Sequence, residues 1–171
     1  MRTMGIDPGT TTTGWGIVES NGTTLRHVAN GCIRTRTGES MPARLGNIFA
    51  ELTRIILAHQ PQQVAVEDIF VSHNVASALK LGQARGVAIA AAHQQGLPIH
   101  EYTALQVKKT VVGYGHADKQ QMQEMVRILL CMTKGAPQDA ADALGVAICH
   151  LHHLPAHLLR TMGRSHTGVP A

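Results

Sequence analysis

Long apolar runs are missing from this chain. No stretch approaches the roughly 18 residues that a bilayer-spanning helix requires, and an acidic side chain, Asp7, arrives before any apolar segment develops. The chain is therefore expected to be neither exported nor inserted in a membrane, and to work in the cytoplasm. Cysteine is scarce as well. Cys32, Cys131 and Cys149 are odd in number, widely spaced and lack the paired spacing of zinc ligands, so they read as buried thiols in a reducing compartment. Aromatic residues make up 3% of the chain, so each ring needs a reading: Trp15 and Phe49 fit a core, and Tyr114, between two glycines, fits a loop. Acidic residues are the minority charge. The 11 Asp+Glu stand against 15 Lys+Arg, and the net charge of +4 leans toward polyanionic partners without specifying one.

What is present fits one globular domain. A length of 171 residues can bury a single core and is too short for two catalytic lobes. Neither an internal repeat nor an interdomain linker occurs. Residues 1–155 form the expected domain, and 156–171, rich in Gly, Pro, Ser and Thr with basic residues, reads as a poorly ordered basic tail. Apolar alternation predicts strands over Thr3–Ile6, Gly14–Glu19 and Thr24–Arg34, with a turn at Ser20-Asn21-Gly22. Leu45, Ile48, Phe49, Leu52, Ile55 and Ile56 recur at helical spacing between Pro42 and His59. A buried strand at Val64–Glu67, a small-residue helix at Val75–His93, a strand at Ile99–Tyr102 and helices at 103–111, 119–131 and 139–153 complete an α/β pattern.

Four acids stand at the edges of these apolar elements. Asp7 ends the first strand, and Pro8-Gly9-Thr10 cannot extend it, which leaves the carboxylate at the strand tip; a cap on a Thr-rich turn is the plainer alternative. Glu67 closes Val64-Ala65-Val66, and alternation points it away from the face of Asp68, so one acid of that pair is expected in a site; the alternative is an acid exposed where strand meets loop. Asp139 and Asp142 lie three apart on a helix, within one turn of each other. Asp139 also suits a helix N-terminus, whereas Asp142 interrupts a face of Ala, Leu and Val. Oxygen ligands without Cys or His at ligand spacing select hard cations, magnesium or manganese. A pair of such ions can drive in-line hydrolysis of a phosphodiester.

The segments GIDPGTTTTGWG at 5–16, PARLGNIFAEL at 42–52, VAVEDIF at 64–70, ALKLGQARGVAIAAA at 78–92, QVKKTVVGYGHADKQQMQ at 106–123 and DAADALGVAICH at 139–150 resemble the RuvC family of bacterial Holliday-junction resolvases, within the RNase H-like superfamily. The likeness spans about 1–153. It implies an RNase H-like, mixed five-stranded sheet flanked by helices, and Asp7, Glu67, Asp139 and Asp142 as catalytic metal ligands for Mg2+ (or Mn2+), two per subunit. It makes Phe70 a ring that stacks on a base near the crossover, and Lys108 and Lys119 grips on the DNA backbone. It further implies four-way junction DNA as substrate, a homodimer that makes paired symmetric nicks in recombination and repair, and a branch-migration motor of RuvA and RuvB as partner. Helix 75–93 is the candidate dimer contact.

Two other readings compete. Gly5-Ile6-Asp7-Pro8-Gly9-Thr10-Thr11 also resembles the first phosphate loop of actin-like ATPases and sugar kinases, which need two lobes and a second phosphate loop that this chain lacks. A junction-binding module without cleavage would avoid carboxylates facing phosphates. The histidines near the end, His150, His152, His153 and His157, read as a titrating basic surface rather than a metal site.

Overall fold

The computed structural model describes residues 1–68 and 74–155. Phe70 and the 156–171 tail lie outside the described residues. Strands β1 (Arg2–Asp7), β2 (Thr12–Ser20) and β3 (Leu25–Arg34) form an antiparallel meander. The β2–β3 turn is tied by the Asn21 side chain, whose Oδ1 accepts from the backbone N–H groups of Thr23 and Thr24, while Gly22 takes φ 99°. After helix α1 (Met41–His59), β4 (Gln63–Asp68) returns parallel to β1; after α2 (Val75–Gln94), β5 (Ile99–Thr103) pairs parallel to β4. The result is the expected mixed five-stranded sheet, in the order β3-β2-β1-β4-β5. Helices α3 (Ala104–Val112), α4 (Lys119–Leu129) and α5 (Gln138–His153) follow.

Period-two alternation divides the core in two. Met4, Ile6, Val64 and Val66 pack with Ile48, Leu52, Ile55 and Ile56 of α1 and with Ala84, Ala88 and Ala91 of α2. Ala65 on the opposite face packs with α3, α4 and α5 through Val107, Met122, Leu144 and Ala147. Among the described residues, no helix is long and apolar enough to cross a membrane.

The elements begin and end within two residues of the sequence expectations; β2 starts two residues early at Thr12, and α4 stops two residues early at Leu129, ahead of Cys131 with its left-handed φ of 49°. Trp15 and Phe49, expected in the core, are only partly buried and pack on the rim of the α1–α2 side. The histidine reading needs a larger correction. His150 is 1% exposed; its Nδ1 pairs with the Tyr102 hydroxyl at 2.8 Å, its Nε2 pairs with Gln63 Oε1, and its ring stacks on His100 with centroids 4.3 Å apart. Burial first, and then the charges of His100 and His153, push its pKa down to about 4. His150 is thus a neutral core residue, not part of a titrating surface.

Helix α5 is the central support. From Ala140 to Leu151 every residue except Asp142 is buried. It approaches the sheet over bare backbone: a methyl group at Gly5 would overlap the Ala143 carbonyl, one at Gly14 the Asp139 carbonyl, and one at Gly16 the Leu144 side chain. These three glycines act through their missing side chain rather than through φ.

Gly5→Ala should therefore destabilise the protein by about 3 kcal/mol or more, at or above the upper end of usual overpacking costs. Gly46→Ala on α1, where a Cβ meets nothing within 4 Å, should stabilise it by up to about 1 kcal/mol through helix propensity. Urea unfolding of both variants at one protein concentration checks the contrast.

Candidate active site

Backbone register assembles the site. Asp7 is the last residue of β1 and pairs with Gly14 of β2. One step past the Ile6–Val66 pair of the parallel β1–β4 ladder, Asp7 and Glu67 stand side by side on the face of Gly5 and Ala65. Because α5 rests on Gly14 and Gly5, its first two turns bring Asp139 and Asp142 over the same end of the sheet. Asp68 takes the other face and pairs with Arg85 of α2 at 3.2 Å; Arg85 also pairs with Glu101 of β5.

Asp7, Glu67 and Asp142 line one cleft of about 240 Å³ together with Lys108 of α3, Lys119 of α4, Ala104, Val107 and Met122. Asp139 does not line it and acts from the rim through its charge. Capping boxes fix the helices that carry the lysines: Thr103 with Gln106 starts α3, and Asp118 with Gln121 starts α4. Of the seven site residues read from the sequence, the structure thus gathers five in one cleft, sets Asp139 at its edge and leaves Phe70 outside the described residues.

The electrostatics are those of an uncompensated acidic cluster. Burial, then the charges of Glu67, Asp142 and Asp139, raise the Asp7 pKa to about 8 against the opposing pull of Lys119. Burial and the charge of Asp142 raise Glu67 to about 7, with Lys108 opposing. Asp142 is also raised, by burial first; Lys119 and Lys108 pull it down and Asp139 pushes it up. Among the described residues, none of the four carboxylates makes an ion pair or side-chain hydrogen bond. Partly buried acids without partners either hold protons or hold a cation. The donor set is all oxygen, which fits a hard divalent ion. No three His, Cys, Asp or Glu side chains among the described residues already enclose a single ion; mutual repulsion is a physical reason for side chains to close only around a cation.

Sequence reasoning missed the clamp on the turn that follows Asp7. Arg44 of α1 donates from Nη2 to the Thr10 carbonyl at 2.6 Å and from Nε to Thr35 Oγ1 at 3.0 Å, and Thr35 Oγ1 donates to the Thr10 carbonyl at 2.5 Å. Thr13 Oγ1 donates to the Gly9 carbonyl at 2.7 Å. The only sequence signal was the Thr-rich composition of the turn.

Asp7 and Glu67 titrate higher in the folded than in the unfolded chain, so the fold retains protons there. Their contribution to stability is present below the ordinary carboxylate range and is lost as pH rises toward about 8. In a chelator, the melting temperature of the wild type should fall between pH 5 and 8 more than that of Asp7→Asn, and the variant should be the more stable protein at pH 8. Magnesium should reverse that order. Thermal melts of both proteins across this range are the check.

The family model described as "Crossover junction endodeoxyribonuclease RuvC" matches residues 3–150. A protein of that name from Pelobacter propionicus is 55% identical over 161 residues, covering 94% of this chain and 90% of the relative. A solved structure of Thermus thermophilus RuvC in complex with Holliday junction substrate superposes with a TM-score of 0.83 at 34% identity, covering 95% of this chain and 96% of that one. The yeast mitochondrial Holliday junction resolvase Ydc2 shares the fold, with a TM-score of 0.62 at 10% identity over 95% of this chain and 81% of that one. A match over nearly the whole described domain, on the same sheet and helices that frame the acidic cleft, means that this chain belongs to the RuvC family of crossover junction endodeoxyribonucleases.

Proposed function

We propose that this protein resolves Holliday junctions by paired symmetric nicks, as a crossover junction endodeoxyribonuclease of recombination and repair in the cytoplasm. One observation carries the reading: three partly buried acids, Asp7, Glu67 and Asp142, share a cleft with two lysines, in a chain of this family. The junction seen bound to the Thermus relative supports a four-way substrate.

Asp7, Glu67, Asp139 and Asp142 are the residues that would hold Mg2+ or Mn2+, two ions per subunit. Bound there, the metal supplies activation of a water and compensation of charge on the leaving oxygen. The protein's own part is orientation. Strand tips and the first turns of α5 present the carboxylates, and the clamped Thr10–Thr11 turn keeps the Asp7 tip in place. Lys108 and Lys119 hold backbone phosphates at the cleft, drawn by the same charge that opposes proton uptake on the acids. Water adds to phosphorus, the P–O3′ bond breaks, and the ends are a 5′-phosphate and a 3′-hydroxyl. Phe70, two residues beyond β4, stacks on a base of the opened crossover.

A four-way junction is itself nearly two-fold, so two symmetric sites suit it. Supporting a homodimer through α2, Val75 and Leu79 are each 67% exposed on that helix, and Gly82 and Gly86 leave its backbone open to close approach. The RuvA–RuvB motor is the proposed branch-migration partner.

On a synthetic four-way junction with magnesium, the wild type should make paired nicks that ligase reseals. Asp7→Asn, Glu67→Gln, Asp139→Asn and Asp142→Asn should each lose several orders of magnitude in rate while still binding the junction. A dimer with one Asp7→Asn subunit should nick one strand without resolving. Full resolution by the mixed dimer, or ends that ligase cannot join, would contradict the proposal.

A further inference from the structure

One cation on the catalytic face has no assigned role. Residues directly paired across antiparallel strands share a face, so Asp7, Gly14 and Cys32 form a row across β1, β2 and β3 on the side that α5 covers. Arg34, two residues beyond Cys32 and paired with Thr12, belongs to the same face at the tip of the sheet. The surroundings of Cys32 agree with this row. Its thiol pKa is raised by burial and then by the charge of Asp139, while the Ala140 backbone and Arg34 act in the opposite direction.

Arg34 is exposed on the edge strand, and among the described residues no carboxylate lies within 4 Å of it. Its neighbour Arg44 is different, because its guanidinium is consumed by Thr10, Thr11 and Thr35. Lys108 works from the other side: along the sheet the order is Arg34 on β3, Asp7 on β1 and Glu67 on β4, and it is Glu67 whose charge Lys108 opposes. Two strand spacings of about 4.8 Å put Arg34 on the order of 10 Å from the Asp7 strand, about three nucleotides at a rise of ~3.4 Å per nucleotide. Arg34 borders a cleft with Asn47, Glu51 and Arg54 of α1 without an ion pair to Glu51, which pairs with Arg54 instead; a guanidinium left so matches phosphate in shape and charge.

We propose that Arg34 is a phosphate-binding residue that grips the junction strand on the β3 side of the acids, across the cleft from Lys108, so that the strand to be cut is held from both flanks. This rests on the junction-resolving function proposed above. The contact also offsets the repulsion between the phosphate chain and Asp139 at the rim.

The test measures junction affinity in a chelator, where the substrate stays intact, over a series of salt concentrations. For Arg34→Ala, the slope of log affinity against log salt should become shallower by about 0.9 per bound protomer, the value for one lost phosphate contact. Arg34→Lys should keep the wild-type slope. So should Arg26→Ala, a change at the far end of β3 where the arginine is paired with Glu19. Melting temperatures should not move, and should the alanine variant fold poorly, Arg34→Gln reads the same slope. A wild-type slope for Arg34→Ala, or weaker binding with an unchanged slope, overturns the proposal. A wild type that neither prefers nor nicks four-way junctions overturns the functional reading itself, a separate result.

Discussion

The structure depends on one close approach, that of α5 to the bare backbone of β1 and β2. Gly5, Gly14 and Gly16 let the helix settle against the strands where side chains would hold it off. Burial of all but one residue from Ala140 to Leu151 ties the helix to the α3–α4 side of the core. The exception, Asp142, sits one turn from Asp139, and both are delivered to the strand tip that ends in Asp7. Packing and chemistry thus share one contact, and widening it by the size of a methyl group would disturb the fold and the spacing of the acids together.

That contact brings charges together at a cost. Desolvation dominates the upward shifts at Asp7, Glu67 and Asp142, and mutual repulsion adds to it. Lys108 and Lys119 pull the other way without cancelling the effect. A fold selected for stability alone would place apolar or amide side chains here. The arrangement makes sense when the missing positive charge arrives as a cation and the substrate arrives as a polyanion.

Most of the fold was legible because its signals are local. The 3.6-residue period of α1, the alternation of β1 and β4, and the Asn21-Gly22 turn are each written within a few residues. Glu67 could be separated from Asp68 by parity alone, and the structure puts them on opposite faces, with Asp68 held by Arg85. What stayed hidden involves partners far apart in the chain. Nothing near His150 announces Gln63, 87 positions away, or Tyr102, 48 away, so a cluster of histidines looked like surface. Gly5, Gly14 and Gly16 stood inside the expected strands with no role of their own, because the helix they accommodate lies more than a hundred residues later. Arg44 carried no mark of its grip on Thr10 and Thr35, which only folding brings within reach.

The central claim is that the carboxylate cluster is a proton-occupied cation site in the metal-free protein. Calorimetric titration with magnesium at pH 7, repeated in buffers of different protonation enthalpy, counts the protons released on binding. With Asp7 at about 8 and Glu67 at about 7, the wild type should release about one proton or more per subunit, since ligands must deprotonate to bind, and Asp7→Asn should release fewer. Magnesium binding without proton release, or release unchanged in Asp7→Asn, would contradict the account.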